Sequence, residues 1–241
     1  MSSHTRTHVV TLVWCPLAAS VTSAYHVRVS AQVFLAVAGS IGSGKTTLTE
    51  RLVTRLGFLG LFESTAANPY LADFYHDMPR YALSLQLRFL AQRVQDTRDI
   101  QAGGISAIQD RTCYEDADIF AANLHARGDM DARDWETYAL IARQLLSGLE
   151  PPHLLVYLRR SPESCLTQIR KRGRSYEQEI PRDYLVDLGR RYDVWFQSYD
   201  LGPKMLVHGE EHDFLNSEAD LDALVERIRE ALPQRMLAFD H

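Results

Sequence analysis

Gly39, Ser40, Ile41, Gly42, Ser43, Gly44, Lys45 and Thr46 are consecutive and fit the pattern G-x-x-x-x-G-K-[ST] in full. The glycines let backbone N–H groups turn inward around phosphate oxygens. A helix beginning at the loop's end adds partial positive charge there. Lys45 can reach the β and γ phosphates, Thr46 can hold Mg²⁺, and Thr47 continues the loop into the helix. The pattern predicts a protein that uses ATP or GTP and leaves the acceptor open. No Asp or Glu precedes Glu50, so local sequence brings no repelling carboxylate to the loop.

Three further stretches bear on the acceptor. Glu63 follows the apolar run Phe58–Phe62. A carboxylate at a strand's C-terminal end shares the sheet edge where open α/β sheets bind ligands, so Glu63 can take a proton from an acceptor hydroxyl. A helix cap or a solvated acid is the competing reading. Asp110, Arg111 and Thr112 follow another short apolar run. Asp110 is placed to support Mg²⁺ or its waters, and Arg111 to sit between acceptor and γ-phosphate. A buried Asp–Arg ion pair is compatible with both roles. Gln168–Arg174 packs Arg170, Lys171, Arg172 and Arg174 around Gly173. This reads as a lid closing on phosphates, with Arg172 and Arg174 neutralising charge, or as a solvated basic face. His208-Gly-Glu-Glu-His212 lacks the order H-E-x-x-H and reads as a loop.

These residues need a scaffold, and the apolar pattern predicts one. Val33–Ala38, Phe58–Phe62, Ile105–Ile108, His153–Leu158 and Lys204–His208 read as strands. Between and after them, Thr46–Leu56, Leu71–His76, Tyr81–Asp99, Tyr114–Ala126, Asp134–Gly148, the segment opening Ser161-Pro162-Glu163, Arg182–Tyr199 and Ser217–Ala231 read as helices. Strands alternating with helices predict an α/β, three-layer P-loop NTPase fold, a five-stranded parallel sheet with helices on both faces.

The chain has 241 residues, 46% hydrophobic and 24% charged, which excludes a disordered or collagen-like protein. A net charge of −5 argues against nucleic-acid polymers as partners. No run approaches the roughly 18 apolar residues of a membrane span. Cys15, Cys113 and Cys165 form neither a disulfide framework nor a zinc pattern, which fits a reducing, cytoplasmic setting. Lys45, Lys171 and Lys204 are the only lysines. Residues 1–32 carry only Arg6 and Arg28 as charges besides the terminus and read as a disordered or over-extended start before a domain of residues 33–241.

Residues 33–200 resemble the deoxynucleoside kinases in the order and spacing of their motifs. Val37–Thr47 is similar to that family's phosphate loop, and Glu63 with Asn68-Pro69-Tyr70-Leu71 to its catalytic glutamate and the N-P-[FY]-L segment of its bacterial branch. Asp110-Arg111-Thr112 resembles its [DE]-R-S triplet, with Thr in place of Ser. The resemblance implies an ATP- and Mg²⁺-dependent kinase acting on the 5′-hydroxyl of a deoxynucleoside in nucleoside salvage, with Glu63 as base. It also implies that Tyr75 and Glu177 hold the sugar 3′-hydroxyl, Gln86 reads the base and Phe120 stacks on it. Arg93 and Asp116 match a pair used by purine- and cytosine-accepting members, which favours deoxyguanosine or deoxyadenosine and leaves deoxycytidine open. Arg172 and Arg174 fall in an Arg-rich lid. A homodimer is implied by the family alone.

Two departures stand out. The lid position four residues before Arg172 holds Gln168 where members usually carry Arg, and the 32-residue leader has no bacterial counterpart. A thymidylate-type monophosphate kinase shares the fold and a D-R pair, but its acceptor phosphate would be repelled by Glu63. A non-catalytic subunit on the same fold could have lost Lys45, Thr46 or Glu63, and all three are present.

Overall fold

The computed structural model describes residues 32–63, 68–178 and 180–232. Apart from Gln32, the expected N-terminal extension lies outside these residues.

Strand β1 (Phe34–Ala38) is wholly buried and alternates large and small side chains. Leu35 and Val37 point to one layer, where they meet Leu48 and Leu52 of α1 (Lys45–Leu56) and Leu221, Leu224 and Ile228 of α9 (Glu218–Ala231). Ala36 and Ala38 point to the other layer, whose small strand residues let the helices approach the sheet closely. That layer holds α2 (Leu71–His76), α3 (Met78–Gly103), α6 (Ala132–Leu146), α7 (Pro162–Arg172) and α8 (Arg182–Ser198). It also holds α4 (Cys113–Glu115), which passes through a π-helical stretch (Asp116–Ala121) into α5 (Ala122–Arg127).

Strands β2 (Leu59–Leu61), β3 (Ala107–Asp110), β4 (Leu154–Arg159) and β5 (Lys204–His208) complete a parallel sheet in the order β2-β3-β1-β4-β5. The order reverses at β1, so the crevice at that strand's C-terminal end is where such a sheet accepts a ligand. The three-layer α/β architecture expected from the sequence is therefore present. Among the described residues, no helix is long and apolar enough to cross a membrane.

Several boundaries differ from those read in the sequence, each for a local reason. Helix α3 begins three residues earlier than expected, because Asp77 accepts from Arg80 N and Pro79 suits the first turn. It continues to Gly103, and Gly104 ends it in the left-handed region at φ 62°. Strand β3 consequently lies two residues further on than the expected Ile105–Ile108, with Phe34 opposite Ala107 and Val37 opposite Asp110. That displacement makes Asp110 the last strand residue and brings it to the sheet's ligand edge. The helix expected over Tyr114–Ala126 contains the π-helical stretch, which holds both Asp116 and Phe120. Lys204 closes the C-terminal end of α8: its Nζ donates to the carbonyls of Phe196, Gln197 and Tyr199 at 2.6, 2.9 and 2.7 Å.

Candidate active site

The phosphate loop joins β1 to α1 and occupies the crevice that the strand order creates. Gly42 adopts φ 77°, and a Cβ there would stand 2.5 Å from the Cys165 carbonyl, so only glycine fits. Lys45 is buried and its Nζ rests 3.4 Å from the Ser40 carbonyl. Burial and the neighbouring Arg111 charge hold the Lys45 ammonium below its ordinary pKa. Thr46 Oγ1 donates to Asp110 Oδ2 at 2.5 Å. Asp110 Oδ1 is buried without a hydrogen-bond partner, as are the hydroxyls of Ser40 and Ser43. An orphaned carboxylate oxygen beside the loop threonine suits a hydrated divalent cation at a phosphate chain. The residues present therefore fit Mg²⁺ held by Thr46 and Asp110.

A cleft of about 740 Å³, including its open mouth, lies beside the loop. Ile41, Gly42, Lys45, Thr46, Glu63, Tyr75, Gln86, Arg111, Asp116, Phe120, Arg172, Arg174 and Glu177 all line it. Residues expected from scattered motifs thus share one cavity. Leu71, Phe74, Leu85, Phe89 and Tyr184 supply the apolar wall, and nothing in their sequence setting marked the last four as more than core. Gln86 is buried, and its Oε1 has no partner within the protein. Such an atom calls for a donor from a ligand.

Glu63 is placed by the end of β2 between two guanidinium groups. Its Oε1 lies 3.4 Å from Arg93 Nη2 and 3.6 Å from Arg111 Nη1. Burial alone would raise its carboxyl, but Arg111, Arg93 and Lys45 together bring it down to about 2. Glu63 is therefore a carboxylate at neutral pH. Arg111 adopts φ 73°, the only non-glycine in the left-handed region among the described residues. Such strain, at the turn that aims a side chain into the cleft, is a mark of functional sites. Its guanidinium also lies 4.1 Å above the Phe120 ring, so that face of Phe120 is covered. The expected stacking of a base on Phe120 has only the ring's remaining surface.

Arg93 does not line the main cleft. It stands behind Glu63, where Nε and Nη2 grip the two oxygens of Asp116 at 2.5 and 2.8 Å. The two carboxylates more than offset burial and hold Arg93 well above its ordinary pKa. Asp116 does reach the cleft. The expected pair is therefore one ligand-facing carboxylate and one buried guanidinium that holds it.

At the mouth, Arg172 and Arg174 both pair with the buried Glu177, Arg174 at 3.3 Å. Tyr75 stacks on Tyr176 with ring centroids 6.3 Å apart. Gln168 and Arg170 are exposed on α7. The arginine that reaches the phosphate loop is Arg160, whose Nε donates to the Ser43 carbonyl at 3.0 Å. Its position after β4 is a structural signal that motif spacing did not carry. A second groove on the loop's other side is bounded by Gly44, Thr47, Arg160, Gln168 and the turn around Gly209. His208 and His212 gather no metal cluster among the described residues, and Glu210 instead accepts from Ser161 N at 2.7 Å.

One expectation needs correction. The loop is not free of neighbouring acidic side chains: Glu115, distant in sequence, lies directly beneath it and accepts from Gly39 N at 3.3 Å. The fold brings in what local sequence excluded.

A phosphate-loop motif at the end of β1, a carboxylate between two arginines and basic residues lining the same cleft are the arrangement of a P-loop kinase. The deoxynucleoside kinase family model matches residues 35–233. A deoxyadenosine/deoxycytidine kinase of Bacillus subtilis is 37% identical over 197 residues, covering 80% of this chain and 90% of that protein. A deoxyguanosine kinase of Lactobacillus acidophilus is 34% identical over 209 residues, covering 81% and 91%. The structure of the M. mycoides deoxyadenosine kinase with dCMP and a flexible dCDP superposes with a TM-score of 0.73 at 26% identity, covering 82% of this chain and all of that one. The chain belongs to the deoxynucleoside kinase family.

Proposed function

We propose that the protein transfers the γ-phosphoryl group of ATP, with Mg²⁺, to the 5′-hydroxyl of a purine deoxynucleoside, as a cytoplasmic salvage enzyme that assembles as a homodimer. The observation that carries the reading is the placement of Glu63, an ionised carboxylate in the same cleft as Lys45, Thr46 and the basic segment. An acceptor already bearing a phosphate would meet that carboxylate at close range.

The loop separates the two substrates. The acceptor occupies the cleft with Glu63, and the donor nucleoside has room in the groove beyond Gly44 and Thr47. Lys45 and Arg111 neutralise the oxygens of the transferring group, and Thr46 with Asp110 would hold Mg²⁺, which would supply further positive charge against the phosphates. Arg172 and Arg174 exchange their Glu177 contacts for phosphate oxygens on closure, which frees Glu177 for the sugar beside Tyr75. Gln86 and Asp116 face the base. Asp116 accepts from an exocyclic amino group, which adenine, guanine and cytosine carry and thymine lacks. The named bacterial relatives act on deoxyadenosine, deoxycytidine or deoxyguanosine, which favours the same bases here.

The test is kcat/KM with ATP for the four deoxynucleosides and their monophosphates, on the full chain. Deoxyadenosine or deoxyguanosine should lead, and thymidine should trail by at least about 10²-fold, because it leaves a buried acceptor unpaired. Turnover of monophosphates alone would refute the reading. Gly42→Ala should weaken ATP binding by about tenfold or more, through left-handed strain of about 1–3 kcal/mol and the clash with Cys165. Isothermal titration with ATP measures it, and unaltered affinity would show that the loop tolerates a Cβ.

A further inference from the structure

Beneath the phosphate loop, a buried network joins three elements that are far apart in sequence. Glu115 of α4 is fully buried. Its Oε2 accepts from Thr112 N at 2.7 Å, next to the strained Arg111. Its Oε1 lies 3.3 Å from Gly39 N and 2.8 Å from the hydroxyl of Tyr192 in α8. The same hydroxyl lies 2.8 Å from the Gly39 carbonyl. Gly39, the first residue of the loop, is thus held at both its N–H and its C=O. No other residue fits there, since a Cβ would meet Ser43 Oγ at 2.7 Å and the Leu158 carbonyl at 2.9 Å.

The hydrogens do not balance if Glu115 is ionised. Tyr192 has one hydroxyl hydrogen for two oxygens, each at an ordinary O–H···O distance. A proton on Glu115 Oε1 resolves the count. Oε1–H donates to the Tyr192 hydroxyl, and that hydroxyl donates to the Gly39 carbonyl. Oε2 remains free to accept from Thr112, so each polar atom of this network is paired.

We propose that Glu115 and Tyr192 are positioning residues which brace the phosphate loop against the Arg111 turn, and that Glu115 does so as a neutral, hydrogen-donating acid at neutral pH. The proposal rests on the kinase reading above for its kinetic consequences. The surroundings agree with it. Burial raises the Glu115 carboxyl above its ordinary pKa, against the opposing pull of Arg111, the Thr112 N–H, Tyr192 and Lys45. A neutral acid also avoids setting a negative charge under a loop that receives phosphates. Tyr192 is held independently of the brace, because its ring stacks on Tyr157 at 5.5 Å and meets Phe120 edge-on at 6.2 Å.

Tyr192→Phe removes one oxygen and keeps the ring. It should raise the KM for ATP about fivefold while moving the deoxynucleoside KM by less than about twofold, since only the loop carbonyl loses its partner. An equal change in both KM values, or a change confined to the deoxynucleoside, would overturn the brace. Glu115→Gln supplies a donor and an acceptor in the places of the neutral acid. It should recover most of the ATP affinity that Glu115→Ala loses, whereas an ionised Glu115 predicts that the two variants fail alike. The charge state has its own readout in melting temperature. A folded pKa raised above the unfolded value makes wild-type stability fall as pH rises. The advantage of Glu115→Gln over wild type should therefore grow from about pH 5 to about pH 8. Lys45 and Arg111 both face the carboxyl, and Arg111 keeps its charge over that range. A constant gap would overturn the neutral acid. Should Glu115→Ala fail to fold, Tyr192→Phe and the pH series still decide. Loss of the kinase reading itself would show as no turnover by wild type, with the pH series unaffected.

Discussion

Replacing Glu63 by Gln is expected to lower kcat with deoxynucleosides by about 10³-fold while changing ATP affinity by less than about twofold. The substitution keeps the volume and one carbonyl oxygen between Arg93 and Arg111 and removes the negative charge and with it the ability to accept a proton. With its carboxyl held down to about 2, Glu63 is a weak base in the resting site. Phosphoryl transfer through a loose transition state asks for no more, because the acceptor hydroxyl keeps its proton until bond formation is well advanced. The pH dependence follows with its sign. A depressed carboxyl is ionised above its folded pKa and is lost only as pH falls through that value. Glu63 therefore contributes no acid limb to kcat/KM between about pH 5 and about pH 8. Arg111→Met removes the larger of the two guanidinium effects, so the Glu63 carboxyl rises and an acid limb moves toward neutrality. Steady-state kinetics across that range, with ATP titrations of each variant, measure both effects. A Glu63→Gln enzyme keeping more than about a tenth of wild-type kcat would remove Glu63 from the base role.

The parts of this site legible in the sequence are those whose chemistry depends on neighbours in the chain. Gly39–Thr46 is a continuous run closing on one ligand, so its residue types declare it. Glu63 and Asp110-Arg111 follow apolar runs, and strand ends in a parallel sheet share an edge, so their meeting was predictable from element order. Tyr75, Gln86 and Phe120 came from a family resemblance, since a helical Gln or Phe announces nothing by itself. The remainder was set by contacts over long separations. Glu115 and Tyr192 stand 76 and 153 residues from Gly39. Arg160 reaches Ser43 across 117 residues. The π-helical stretch carrying Asp116 has no period that an α-helical reading distinguishes, and the shift of β3 depended on where Gly104 ended the preceding helix.

Arg93→Met is expected to cost about 3–5 kcal/mol of folding free energy, because it abandons a carboxylate in the interior. Arg93 and Asp116 are 3% and 1% exposed, so little water is at hand to replace the two-point contact if the guanidinium is lost. The intact pair need not add much to stability, since taking two charges out of water cancels most of their attraction. Arg93→Met/Asp116→Leu should then recover most of the loss, leaving a coupling energy of about 2 kcal/mol or more between the two sites. Urea unfolding of wild type, both single variants and the double variant closes this cycle. Activity should follow a different order. The double variant folds but lacks the Asp116 acceptor for an exocyclic amino group, so its kcat/KM for deoxyadenosine and deoxycytidine falls toward that for thymidine. It also frees Glu63 of its Arg93 contact, which allows that carboxyl to rise. A double variant that regained stability and kept wild-type base discrimination would assign the pair to the core alone. One that stayed as unstable as Arg93→Met would mean that the guanidinium is held mainly by Glu63 and the Phe89 ring, 5.1 Å away.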